Sequence, residues 1–318
     1  MNKIKSYLKK LKAFDLVVVV FFVMLILLNI IFHNRVEYWD SLILLNLCII
    51  FFVFFIAFLE ERFSNNFFRA LHFWYIAPII LITFKELYLM IKPIRVYDFD
   101  YLFIQIDRWM FGTDPTVWLY QIANPVLTEI LQIVYTLFYL LPILLGLFLL
   151  KNKRYEAMDF SVFMIIYGFY LSYLGYFALP GIGPRFTLHD FSMLNAELPG
   201  LWLTHFLRES VNIGESIPAG TLDPASVVQR DVFPSGHTMI TLIVMYLSVK
   251  LQSRSKYFFL PVGSLLIFAT VYLRYHYVVD LIGGALFMAF SVWSGKIIYN
   301  WWRRKIGLEE FVYDRTKF

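Results

Sequence analysis

Long unbroken apolar runs constrain this chain more than any other feature. Residues 16–32, 42–59, 73–91, 126–150, 160–179, 237–251, 257–273 and 277–299 each carry few or no charges. Runs of this kind at about 20 residues are long enough to cross a bilayer as helices, where every backbone polar group is satisfied within the segment. The expectation is therefore an all-α integral membrane protein with about eight transmembrane helices. The sixth run is short and the seventh contains Pro261, so their ends are the least sharply drawn. At 60% hydrophobic residues the chain lies well above the usual composition of soluble domains, about 45–50% apolar. Its formal charge of +5 is consequently no argument for nucleic acid. The one cysteine, Cys48, excludes an intramolecular disulfide.

Charge distribution orients these runs. With the N-terminus placed in the cytoplasm, nineteen Lys and Arg fall on the inner side and eight on the outer, Lys85 lying within a span. That asymmetry is the one expected of membrane topology. Five lysines before residue 13 and a bulky segment at Asn29–Phe32, with no small-x-small site, read as an uncleaved signal anchor in a plasma or inner membrane. Both termini are then cytoplasmic. Two outer segments are too long to be simple links. Residues 96–125 space Leu102, Ile106, Trp109 and Met110 as an amphipathic helix at the interface, with Trp109 and Trp118 as anchors. Residues 180–236 contain a second such stretch at 201–207 and are expected to roof a site. Lys85, Glu86, Glu129 and Gln132 lie near the outer ends of spans, in the interface or lining an outward cavity. Gly283-Gly284 suits close helix packing. Trp301-Trp302-Arg303-Arg304 reads as an inner-interface anchor.

Polar clusters at two helix boundaries carry the chemistry. Phe233-Pro234-Ser235-Gly236-His237 ends the long outer segment and opens an apolar helix, with Ser235 as N-cap. Free backbone amides and the helix dipole there suit an anion such as phosphate. Tyr272 through Asp280 forms the next boundary, and His276 and Asp280, four apart, share a helical face. The orientation brings both clusters to the same outer membrane face. Two histidines, one backed by a carboxylate, with arginine nearby, suit phosphoryl transfer. The other histidines, His33, His72, His189 and His205, read as interfacial polar caps.

Gly183-Pro184-Arg185-Phe186, then Pro234-Ser235-Gly236-His237, then His276 and Asp280 resemble, in that order, the motifs of the type 2 phosphatidic acid phosphatase superfamily of membrane lipid phosphatases and phosphotransferases. The resemblance covers the six spans from Phe73 onward and leaves the first two as an addition. It divides the chain into an N-terminal extension, 1–70, a catalytic core, 71–300, with 180–236 as roof, and a tail, 301–318. Where phosphatase members usually carry Lys and Arg, this chain has Ala178 and Thr270, and the run from Ala269 to Gly284 is similar to the inositol-phosphorylceramide synthase branch. Gly236 is the phosphatase-like residue.

The resemblance implies His276 as nucleophile through a phospho-histidine, Asp280 as its orienting acid, and His237 as general acid and base. It implies Arg185, Ser235 and the Gly236 amide as phosphate binders, with Arg274 standing in for the missing cations. No cofactor and no metal are implied, although His237, His276 and Asp280 could in principle ligate zinc. The expected partners are membrane lipids, a lipid phosphate substrate and, for a transferase, a lipid alcohol or inositol acceptor. The expectation is a lipid phosphatase acting on a lipid phosphate or pyrophosphate. The alternatives are a phosphotransferase moving a phospho-headgroup between lipids, or a non-catalytic lipid-binding relative.

Overall fold

A computed structural model describes residues 10–313; the first three of the five N-terminal lysines and the end of the tail lie outside the described residues. Among the described residues the structure is helical, with no strand. The longer helices, in chain order, are α1 (Ala13–Ile31), α2 (Trp39–Phe63), α3 (Asn66–Trp74), α4 (Ile76–Ile94), α5 (Asp100–Phe111), α6 (Pro125–Thr136), α7 (Leu140–Lys151), α8 (Tyr155–Ala178), α9 (Thr204–Gly214), α10 (Gly236–Lys250), α11 (Lys256–Tyr272) and α12 (Val278–Ile306). All eight apolar runs are helical. Five described segments, Ala13–Ile31, Trp39–Phe63, Asn66–Ile94, Tyr155–Ala178 and Val278–Ile306, are long and apolar enough to cross a membrane; α6 and α7, bent by 57° at their junction, make a sixth if taken as one span. Helices α10 and α11 fall short of that length.

The chain divides into two compact units. The first comprises Met1–Val96, Gly146–Leu171 and Ala289–Phe318. Its core includes Phe14, Val18, Phe22 and Leu25 of α1 and Val53 and Ile56 of α2, all buried. Buried polar groups gather in clusters, where partners offset part of the cost of burial. Glu86 is buried within the unit and accepts from Asn46 Nδ2 at 2.7 Å and from Asn29 Nδ2 at 3.4 Å. His72 is likewise no surface cap: it is fully buried between Asp15 and Glu60. Trp302, expected at an interface, is 7% exposed and donates Nε1 to the Leu11 carbonyl at 2.9 Å.

Tyr97–Leu145 and Ser172–Met288 form the second unit. Here α5 is the expected amphipathic helix. Phe103 is buried, Trp109 is 85% exposed, and Gly112 ends the helix in the left-handed region at φ 70°. Asn124 caps α6 by accepting from Leu127 N at 3.0 Å, with Pro125 in the first turn. The second amphipathic stretch begins three residues later than the sequence suggests. Glu129 of α6 gathers the amides of Leu201, Leu203 and Thr204 at 2.7–3.2 Å, and α9 starts from that anchor. Gln132 is also fully buried.

Candidate active site

Helix α10 begins where Ser235 leaves the helical conformation and its Oγ accepts from Thr238 N at 3.2 Å. Gly236 and His237 thus stand in the first turn, where the helix dipole favours an anion. The start of α12 is held against it: Ser235 N donates to the Asp280 carbonyl at 3.0 Å. Gly284, one turn further on, allows this approach, since a Cβ there would lie 2.7 Å from the Ser235 carbonyl oxygen. Two residues outside these motifs fix the geometry. Asp107 of α5 accepts from Val278 N and Val279 N, both at 2.8 Å, and so caps α12. Asp100 accepts from Gly183 N at 2.8 Å and from Tyr277 Oη at 2.9 Å, tying the Gly-Pro-Arg turn to the His276 segment. Burial pushes both carboxyl groups above the ordinary carboxylate range, against the pull of these donors. Gly183 itself, at φ 94°, comes so near the Tyr275 carbonyl that a Cβ would sit 2.8 Å from its oxygen.

His276 is 4% exposed and lies just before α12. Its Nδ1 is 3.1 Å from the Val232 carbonyl oxygen and 3.5 Å from Asp280 Oδ2. A carbonyl only accepts, so Nδ1 carries the proton and Nε2 holds the lone pair. Nε2 faces His237 Nδ1 at 3.4 Å. Asp280 is fully buried and its Oδ2 accepts from Tyr277 N at 2.8 Å, which fixes the carboxylate beside the ring. Burial, assisted by the nearby Arg185 charge, pushes the His276 pKa down to about 3, so the ring is neutral at ordinary pH. His237 packs against two aromatic rings: Tyr135 stacks on it at 4.6 Å, and Phe138 meets it tilted at 4.2 Å.

Arg185 and Arg274 are both buried. Arg185 stacks over Tyr275 and over Phe186, each at 4.7 Å, and donates Nη1 to Asn212 at 3.0 Å and Nη2 to Glu215. Its backbone N–H meets the Arg274 carbonyl at 3.1 Å. Arg274 occupies the left-handed region at φ 66°, and its guanidinium pairs with Glu197 over the Tyr120 ring. The structure thus gathers Ser235, Gly236, His237, His276 and Asp280 at one place with Arg185 alongside, while the Arg274 side chain is committed to Glu197. The aromatic walls Tyr135, Phe138 and Tyr275, and the partners Asn212, Glu215 and Glu197, were not legible as site residues, because nothing in their spacing marks them. Of the remaining histidines, His189 faces Thr116 Oγ1 at 2.8 Å, and burial, with Arg274 nearby, takes its pKa down to about 4. Among the described residues no three His, Cys, Asp or Glu side chains converge as metal ligands.

This pair of histidines, one turning its lone pair to the other and backed by a carboxylate, lies inside a stretch that a family model matches. The match is to the PAP2 superfamily and spans residues 102–294. The chain belongs to the PAP2 superfamily. The match takes in all three motifs and most of what holds them, from within α5 to within α12, with Asp100 just ahead of it. It begins after α1–α4, so the helices that precede α5 are outside it. No curated protein and no solved structure shows a significant match to the chain. PAP2 membership, with several apolar membrane-length helices, makes this an integral membrane protein of a lipid phosphatase and phosphotransferase family.

Proposed function

We propose that the protein transfers the phosphoryl group of a lipid phosphate through a covalent phospho-histidine at His276. One observation carries the reading: His276 has Nδ1 on an acceptor pair, Val232 O and Asp280, and Nε2 turned to a second histidine. Nε2 attacks phosphorus, the leaving alkoxide takes a proton from His237, and the same His237 then activates the acceptor. Asp280 supports the imidazolium that develops and holds the tautomer. At 3.4 Å the two nitrogens stand in direct contact, so a bound phosphate enters between them and parts them. The Ser235 hydroxyl, the Gly236 amide and Arg185 supply donors to the equatorial oxygens, and Arg274 adds positive charge behind them.

Quenching the purified enzyme with a 32P-labelled lipid phosphate tests the intermediate. Acid-labile label on protein is expected, lost in H276A; wild-type turnover in H276A removes His276 from the nucleophile's role.

Water is the acceptor in this reading, as the Gly236 pattern suggests. A second reading, transfer to a lipid alcohol or inositol as in the inositol-phosphorylceramide synthase branch, draws support from the burial of His276 and Asp280, which limits water at the intermediate. Labelled donor supplied with and without inositol, ceramide or diacylglycerol separates the two. Inorganic phosphate or, from a diester donor, the free phosphorylated headgroup released without alcohol supports hydrolysis, and turnover only with alcohol supports transfer. We further propose that α10 and α11 complete a set of eight spans, with residues 71–300 as catalytic core and the site on the outer face. Reporter fusions in the segments 180–236 and 251–256 test this; a cytoplasmic 180–236 reverses the orientation.

A further inference from the structure

The arginines of the site are already matched with carboxylates. Arg185 gives Nη2 to Glu215 and Arg274 gives Nη1 to Glu197. Another buried arginine, Arg208, spends its donors on the carbonyls of Leu194 and Leu198 and on Asn195 Oδ1, closing the short helix there. Both carboxylates belong to the segment 180–236: Glu197 ends the turn Leu194–Glu197, and Glu215 caps the C-terminus of α9. His276 contributes no positive charge, being neutral. Lys and Arg are replaced by Ala178 and Thr270 at the two positions where the resemblance would put further cations.

A phosphate monoester carries close to two negative charges above a second pKa of about 6, and a diester carries one. In a buried site a like charge beside the ligand is poorly screened and disfavours the more highly charged form. Resting on the reading of His276 as phosphoryl carrier, we propose that Glu215 is a specificity-determining residue. By occupying Arg185 it selects a lipid phosphate with a single negative charge, a phosphodiester, over a dianionic monoester. Glu197 acts in the same sense through Arg274, which, unlike Arg185, lowers no pKa in the histidine pair.

The test is the ratio of kcat/KM for phosphatidic acid to that for phosphatidylinositol, at pH 8 in mixed micelles. Glu215→Gln keeps an oxygen that accepts from Arg185 and removes the charge, at a side chain part-exposed at the end of α9. E215Q is expected to raise the ratio by about tenfold or more, E197Q by less, and E215D to restore the wild-type ratio. An equal loss on both lipids, as a merely structural role would give, or an unchanged ratio in an active protein, overturns the inference alone. A wild type that turns over neither lipid overturns the reading beneath it.

Discussion

His72 and His276 are both buried in helical surroundings, yet their ring nitrogens meet different partners, and the difference decides what each can do. His72, in the first unit, faces Asp15 through Nε2 at 2.9 Å and Glu60 through Nδ1 at 2.5 Å. Two carboxylates can both accept only from a ring protonated on both nitrogens. Lys12 joins at 2.9 Å from Glu60, and Tyr75 donates to Asp15 at 2.6 Å, so the ring is one member of a closed ionic network. No lone pair is left for chemistry. His276, in the second unit, has a carbonyl and a carboxylate on one nitrogen and an imidazole on the other. One lone pair survives, aimed where a phosphate can enter. A histidine that fastens helices and a histidine that attacks phosphorus are thus told apart by how many of the ring nitrogens face a carboxylate or carbonyl.

The sharpest way to break this comparison is to remove each ring. H276A should lower turnover of a labelled lipid phosphate by about 10⁴-fold or more, since the covalent path is lost, with little change in thermal unfolding. H237A should follow it closely. Equal losses from H72A, measured per folded molecule, would mean that the two networks do not differ in the way argued. Next in size is Asp280→Asn, which keeps an acceptor for Tyr277 N but removes the charge behind His276. By analogy with catalytic triads its rate should fall about 10²–10⁴-fold, with substrate binding largely retained. A D280N enzyme within a few-fold of wild type would reduce Asp280 to a cap on its own turn.

For His72 the expected effect lies in stability. H72A leaves Asp15 and Glu60 without the cation between them, and removing one member of a buried ionic group typically costs about 3–5 kcal/mol. Thermal denaturation in detergent should show a clearly lowered midpoint, while kcat of the molecules that remain folded stays near wild type.

The active-site histidine was legible because its chemistry is local. Proline, serine and glycine before His237 dictate a turn and a cap, and the four-residue spacing of His276 and Asp280 fixes a shared face. The apolar runs show the helices for the same reason, since length and composition act within a segment. What the sequence could not show depends on distant residues meeting. His72 looks like an interfacial cap until α1 brings Asp15 to it, 57 positions away. Asp107 looks like the polar face of an amphipathic helix until it is found capping α12, 171 positions on. Glu215 and Glu197 are unremarkable acids in a long segment until folding sets them on arginines. Trp302 reads as an anchor by composition alone, and only its bond to the Leu11 carbonyl shows that it is buried.

The smallest effect expected is in the pH dependence of stability, and it bears on the neutral state assigned to His276. Its ordinary pKa is 6.5, and burial holds it near 3 in the folded protein. Between those values the unfolded chain binds a proton that the folded site refuses, so falling pH favours unfolding. The contribution to stability is complete above about pH 6.5 and is lost progressively as the pH drops toward 3. Replacing His276 by Gln removes the group that titrates and should flatten this acid-side loss, read as unfolding midpoints between pH 7 and pH 4. His189, held near 4 by burial and by Arg274, adds a slope of the same sign, so the variant should reduce the loss without abolishing it. A steeper acid-side loss in H276Q would require His276 to be charged when folded, which is the state of His72 and is incompatible with attack through Nε2.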